Sequence, residues 1–174
     1  LKQRPKIIAI TGAESTGKSN LARALSEHYG APFIPEYARD YVQNLDRKYT
    51  FEDVEYIAQK QVEQYNDLIN SDFQVIFLDT WLLITKVWFE VVFGRVPHWI
   101  ENELRNTEID LFLVCDTDLP WVSDPVRENG GENRERLQEK YISEIEKYGF
   151  PYKIIQGMNG IRVQTAISLI DRIL

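Results

Sequence analysis

The segment Gly12-Ala-Glu-Ser-Thr-Gly-Lys-Ser19 limits what this chain can fold into more than any other stretch. It fits G-x-x-x-x-G-K-[ST] without deviation (the Walker A pattern) and follows a continuously apolar run, Lys6-Ile-Ile-Ala-Ile-Thr11. A loop of this kind works between a buried strand and the start of a helix. Its glycines let the backbone curl until successive N–H groups point inward at a polyphosphate. Lys18 brings a mobile positive charge to the β- and γ-phosphates, and Ser19 offers its hydroxyl to Mg²⁺. A helix beginning near Ser19 adds its positive dipole end. Gly12, Ala13, Glu14, Ser15, Thr16, Gly17, Lys18, Ser19 and Asn20 are therefore the candidate ATP-binding residues.

The rest of the chain repeats the strand-then-helix alternation that this loop demands. Gln74-Val-Ile-Phe-Leu-Asp79, Ile109-Asp-Leu-Phe-Leu-Val-Cys115 and Tyr152-Lys-Ile-Ile-Gln156 read as buried strands, and Pro32-Phe-Ile-Pro35 as a short fifth. Helical spacing runs from Ser19 to Tyr29, with Leu21, Ala24, Leu25 and His28 on one face. It also follows Thr50, a candidate N-cap, through Phe51, Val54, Ala58, Val62, Tyr65 and Ile69. A third helix runs from Arg134 to Tyr148 and stops at Gly149 and Pro151. This is the signature of an α/β fold, a parallel sheet with helices on both faces. Ligands in such folds bind at the carboxyl ends of the strands. At 174 residues, one domain over 1–174 is expected.

Composition narrows the class. Twenty-seven acidic against 20 basic residues give a net charge of −7, which argues against a nucleic-acid coat. One cysteine, Cys115, excludes a disulfide framework and a zinc ribbon. The most apolar stretch, Val75 to Phe93, is interrupted by Asp79, Lys86 and Glu90, so no membrane span is expected. A cytoplasmic protein is the expectation, although Leu1 in place of Met leaves room for an upstream segment.

Asp79 ends an apolar strand, where a carboxylate holds the water shell of Mg²⁺. It also suits an N-cap for the segment from Trp81, and the two roles are compatible. A GTPase would carry D-x-x-G here and N-K-x-D elsewhere; this chain has Asp79-Thr-Trp-Leu and no N-K-x-D. A motor-type ATPase places Glu after the Asp, where this chain has Thr80. Transfer to a bound acceptor, a small kinase, fits better than hydrolysis.

On the acceptor side, Glu36-Tyr-Ala-Arg-Asp40 follows the short strand. Glu36 is the candidate to accept the hydroxyl proton or fix a ribose hydroxyl, Arg39 to clamp phosphate and Asp40 to bind ribose. The alternative is a solvated helix N-terminus, where an early Glu is favoured anyway. The glycine-containing, arginine-bearing stretch at about 119–136 reads as a lid over ATP, with Arg127 its best cation. Arg134 and Arg136 either serve behind it or pair with Glu132 and Glu139 on a helix surface. Arg162, after the last strand, is placed to stack on adenine. Trp121 and Trp81 flank the expected cleft. The apolar stretch Leu82–Phe93, with Trp88, reads as core or subunit contact, leaving a homo-oligomer open. His28, His98 and Cys115 lack metal-ligand spacing and read as structural.

Taken together, Gly12–Ser19, Glu36-Tyr-Ala-Arg-Asp-Tyr41, Phe77-Leu-Asp-Thr80 and Asp118-Leu-Pro-Trp-Val-Ser-Asp-Pro-Val-Arg127 resemble the nicotinamide riboside kinase domain of NadR-like P-loop proteins. The resemblance runs from about Lys6 to the end. It implies a three-layer P-loop NTPase fold of nucleoside-kinase type with a five-stranded parallel sheet. The implied activity is Mg·ATP-dependent phosphorylation of the riboside 5′-hydroxyl to nicotinamide mononucleotide, a step of NAD biosynthesis. By motif position it gives Lys18 and Ser19 to ATP and Mg²⁺, and Asp79 to the metal. Glu36 and Asp40 would serve the acceptor, Trp121 and Asp124 the acceptor's end of the cleft, and Arg127 the lid. Two positions depart from the pattern: Trp81 replaces an acid of the acceptor cleft, and Pro125 replaces a lid glycine. A cationic pyridinium calls for aromatic faces and carboxylates, which Tyr37, Tyr41, Trp81, Trp121, Asp40 and Asp124 are candidates to supply. A kinase for another nucleoside, an ATPase, and an ATP-binding sensor without turnover are the alternatives. No adenylyltransferase pattern or basic DNA-binding helix is present.

Overall fold

In the computed structural model, which describes residues 4–158 and 160–174, all five expected strands form and lie parallel. Leu1 and the Asn159 of the loop after the last strand lie outside the described residues. The elements run β1 (Lys6–Thr11), α1 (Lys18–Tyr29), β2 (Phe33–Ile34), α2 (Tyr37–Gln43), α3 (Phe51–Ile69) and β3 (Val75–Asp79). They continue α4 (Leu82–Phe93), α5 (His98–Asn106), β4 (Leu111–Cys115), α6 (Glu132–Lys147), β5 (Tyr152–Ile155) and α7 (Gly160–Ile170). The strand order is β2-β3-β1-β4-β5. The chain leaves β1 for β3 on one side and reaches β4 on the other, so β1 stands at the switch point where a crevice opens beyond the strand ends. Register sets Ile10 opposite Asp79 on β3 and Leu113 on β4. The loop after β1 and the carboxylate ending β3 therefore emerge side by side.

Alternation along buried strands divides the core. Ile8, Ile10, Phe77 and Leu113 pack on α1 and α7, whereas Ile7, Ala9, Ile76, Leu78, Phe112 and Val114 face the α3–α6 layer. Leu21, Ala22 and Leu25 form the buried stripe of α1; His28, expected there, is exposed and lies edge-on to Tyr29. Thr50 caps α3 in a capping box, its hydroxyl accepting from the Asp53 N–H while Asp53 Oδ2 accepts the Thr50 N–H at 2.7 Å. Trp81, expected beside the cleft, is instead a core residue 5.0 Å from the Tyr65 ring. Cys115 is buried, its thiol pushed up to about 11 by desolvation, as an unreactive structural cysteine should be. Among the described residues no helix is long and apolar enough to cross a membrane.

One buried charge lies inside the Leu82–Phe93 stretch. Lys86 is fully buried on α4, with Nζ 2.7 Å from Glu144 Oε2 of α6 and a second ion pair to Glu90. Burial alone would lower the Lys86 pKa, but the hydrogen bonds and charges of Glu144 and Glu90 hold it above the usual lysine range. Removing one partner of such a pair leaves the other uncompensated. Lys86→Ala is expected to cost about 3–5 kcal/mol in urea unfolding; a loss below about 1 kcal/mol would mean that water replaces the ammonium.

Candidate active site

The phosphate loop is curled by three residues in the left-handed region, Gly12 (φ 137°), Ser15 (φ 58°) and Gly17 (φ 80°). Gly12 has no room for a side chain: a Cβ there would lie 2.6 Å from the Cys115 carbonyl oxygen. Polar side chains brace the curl from outside. Gln138 of α6 accepts the Ala13 N–H at 2.8 Å and donates to the Cys115 carbonyl at 2.9 Å. Arg134 donates to the Glu14 and Ser15 carbonyls at 2.9 and 2.8 Å. Thr16 Oγ1 and Lys18 Nζ both donate to the Ala13 carbonyl, at 2.8 and 2.7 Å.

The loop forms one wall of a cavity of about 330 Å³, the lower end of the size range for small-molecule sites. Gly12, Glu14–Asn20, Glu36, Arg39 and Arg127 line it. An apolar side is built by Val42, Ile84, Trp88, Val91, Val92 and Leu137. At its floor Thr85 of α4 donates to Gln61 Oε1 of α3 at 2.7 Å. Thr80, also in the wall, holds φ 68°, strained for a β-branched residue, with its N–H donating to the Ile10 carbonyl at 3.0 Å.

Asp79 is buried, and its Oδ1 has no hydrogen-bond partner among the described residues. Burial raises its pKa above the ordinary carboxylate value, offset by the Ser19 hydroxyl and by Lys18, Arg23 and Arg39. An orphaned carboxylate oxygen next to a serine hydroxyl fits a Mg²⁺ site, because Mg²⁺ takes one or two protein oxygens with the rest from phosphate and water. No cluster of three or more His, Cys, Asp or Glu side chains forms among the described residues, so no all-protein cage competes with that arrangement. Burial likewise raises the Glu36 pKa; Lys18 and Arg39 pull it down, while Asp79 and Glu14 push it up. Two raised carboxyls under the influence of one lysine, with Glu36 and Lys18 in the cavity wall, are the kind of perturbed cluster that marks reactive sites.

The remaining site candidates divide. Arg39 lines the cavity and pairs with Asp124, which also sits 3.1 Å from Arg127 Nε. Asp124 is thus a tether between α2 and the 116–131 segment, outside the cavity wall. Tyr37 and Asp40 also lie outside that wall: Tyr37 packs on Tyr41 and Tyr56, and Asp40 is exposed. α2 turns Ala38, Arg39 and Val42 to the cleft instead. Trp121 rests on Gly130, with Nε1 3.4 Å from Glu14 Oε2, against the phosphate loop rather than the acceptor end.

Arg162, expected to stack on adenine, turns instead into the fold. Its buried guanidinium pairs with Asp118 and donates to the carbonyls of Ile155 (3.1 Å), Asp116 (3.1 Å) and Gly157 (2.7 Å). It ties the ends of β4 and β5 together and has no freedom to stack on a base. Arg136 makes the surface pair with Glu132 (3.7 Å), whereas Arg134 braces the loop.

Gln61, Thr85 and Gln138 are not marked by any sequence motif, and Arg134, expected behind the lid or in a surface pair, instead braces the phosphate loop. Each occupies a buried helical position: Arg134, Gln138, Tyr141 and Ile145 are one stripe of α6, and Gln61 lies between Ala58 and Tyr65 on α3. Polar residues in core register were the available signal.

A model of the AAA domain family matches residues 7–160. The chain belongs to that family. This AAA domain is 25% identical over 147 residues to the trifunctional NAD biosynthesis/regulator protein NadR of Escherichia coli strain K12, spanning 82% of the chain and 36% of NadR. It therefore spans about a third of that relative's length. Crystal structures of NadR match the fold: the complex with NR at TM-score 0.77 and 23% identity (97% of this chain, 50% of that one), and the complex with NAD and AMP-PNP at 0.75 and 24% (97% and 49%). Deoxyadenosine kinase from M. mycoides matches at TM-score 0.67 and 18% identity, covering 95% of this chain and 99% of its own. The AAA domain thus has the P-loop fold of nucleoside kinases.

Because Gly12 cannot take a side chain without moving β4, Gly12→Ala is expected to weaken Mg·ATP binding by at least about tenfold in calorimetric titration. Unchanged affinity would show that the observed curl is not the binding conformation.

Proposed function

We propose that this AAA domain is a Mg·ATP-dependent nucleoside kinase that phosphorylates the 5′-hydroxyl of nicotinamide riboside. The observation that carries the reading is that Glu36 and the phosphate loop open into the same cavity, which ends on an apolar, aromatic wall of nucleoside size. Further support comes from relatives: NadR is named for NAD biosynthesis and has been crystallised with NR and with AMP-PNP.

The loop N–H groups and Lys18 hold the polyphosphate, Lys18 exchanging its own-loop carbonyl for phosphate oxygens. Ser19 and Asp79 would hold Mg²⁺, which neutralises charge on the phosphates. Glu36 accepts the 5′-hydroxyl proton as the new O–P bond forms and the bond to the ADP leaving group breaks. Arg39 and Arg127 flank the transferring phosphoryl. Trp88, standing edge-on to Tyr49 at 4.8 Å, offers its face to the base, with the Glu128 carboxylate, which accepts the Tyr49 hydroxyl at 3.0 Å, on the same side to favour a cationic ring. This set replaces Tyr37, Tyr41, Trp81, Trp121, Asp40 and Asp124 as the base-binding group.

With Mg·ATP and a nucleoside panel, the riboside is expected to yield ADP and a 5′-monophosphate in equal amounts. Product from a deoxynucleoside alone would keep the kinase and reject this acceptor, and fast ADP release without any acceptor would favour the ATPase reading. Glu36→Gln is expected to lower kcat by about 10²-fold or more with ATP binding retained. Trp88→Ala should raise the acceptor KM by about tenfold while the ATP KM stays put; equal effects on both would place Trp88 outside the acceptor site.

A further inference from the structure

We propose that the Glu14 side chain is a positioning residue that fastens the 121–129 segment, and with it Arg127, to the phosphate loop. The proposal rests on the kinase reading in giving Arg127 a place beside the transferring phosphoryl. The phosphate loop binds through backbone N–H groups, so the side chains at its variable positions are free for another task. Glu14 points its carboxylate away from the nest into a ring of donors from one segment. Oε1 accepts from the Glu128 N–H at 3.1 Å and from Asn129 Nδ2 at 3.2 Å. Oε2 accepts from the Asn129 N–H at 3.0 Å and from Trp121 Nε1 at 3.4 Å. Two carboxylate oxygens offer about four acceptor sites, and this one segment supplies four donors.

The donors come from both ends of the segment, so one carboxylate closes it into a loop. Hydrogen bonds to an ionised acceptor are roughly twice as strong as neutral ones. The neighbouring residue continues the seam: Ser15 Oγ accepts the Val122 N–H at 3.0 Å and donates to the Pro120 carbonyl at 3.3 Å. Inside the closed loop, Asp124 accepts the Val126 and Arg127 N–H groups at 3.0 Å and pairs with Arg39 and Arg127. Glu14 thereby fixes the backbone that carries Arg127, and through Asp124 it fixes Arg39 across the cleft. Both cations are set before a nucleotide arrives, which removes reorganisation from the transfer step.

The test uses the full chain as wild type, Glu14→Gln and Glu14→Ala. In the nucleotide-free protein, amide hydrogen exchange is read by NMR at Glu128 and Asn129, with Leu113 and Val114 of β4 as internal controls. Glu14→Ala is expected to speed exchange at Glu128 and Asn129 by about tenfold or more while the β4 amides stay protected. Glu14→Gln, near-isosteric and keeping one acceptor oxygen, is expected to fall between. In turnover, kcat for nucleoside phosphorylation is expected to drop about tenfold with the ATP KM changed less than about threefold, because the backbone nest is intact. Unchanged exchange at Glu128 and Asn129 overturns the proposal, as does a uniform loss of protection that includes β4, which would make Glu14 a fold-supporting residue only. If Glu14→Ala does not fold, Glu14→Gln decides by the same criteria. A wild-type protein that phosphorylates no nucleoside would reject the kinase reading, and the exchange measurement would still decide whether Glu14 holds the segment.

Discussion

The curl of the short loop after β1 is the feature on which everything else in this chain depends. Left-handed residues at 12, 15 and 17 create that curl, and none is held by the loop alone. Gly12 is pressed against the end of β4, Gln138 bridges the Ala13 N–H to the Cys115 carbonyl, and Arg134 takes the next two carbonyls. The strand order β2-β3-β1-β4-β5 brings those supports within reach, because it seats β1 between the strand ending in Asp79 and the one ending in Cys115. Anion binding is therefore prepared by tertiary structure, and the loop sequence is a requirement rather than a sufficient cause.

The net charge of −7 would oppose a polyanion only if charge acted at long range. Solvent and salt confine it to about 8–10 Å, and locally Lys18 and Arg39 act on both Glu36 and Asp79, while Arg127 lines the same cavity as Glu36. Desolvation raises both carboxyls, and the cations restrain that rise. A site of this kind suits phosphate at one end and a polar or cationic acceptor at the other.

The parallel sheet, the Thr50 cap and the phosphate loop were legible in the sequence, because each follows from local spacing: buried β-branched runs, a capping box, glycines at fixed offsets. The weaker expectations failed for a shared reason. Position after a strand points Trp81 and Arg162 to the cleft, and the aromatic faces a pyridinium needs point to Tyr37, but the direction of a side chain is set by what packs around it. Trp81 turns into the core against Tyr65, and Arg162 turns back onto three carbonyls. Conversely, Gln61, Gln138 and Arg134 are far in sequence from the loop or cleft they serve. Arg134 is marked locally only as one more cation of the 119–136 stretch, and Gln61 and Gln138 only as polar residues standing in an apolar stripe. Lys86 carries the same mark, and its partner Glu144 lies 58 residues away, beyond the reach of any periodicity.

The central claim is that the phosphate loop and the Glu36–Trp88 cleft are one continuous site, in which a phosphoryl group passes directly between two bound molecules. A bisubstrate molecule, adenosine joined through a polyphosphate to the 5′-oxygen of the riboside, tests it most directly by competition at equilibrium. One such molecule per chain is expected to displace a fluorescent ATP analogue and a labelled riboside together, binding more tightly than either half. Displacement of the nucleotide alone, with riboside binding untouched, would contradict the claim.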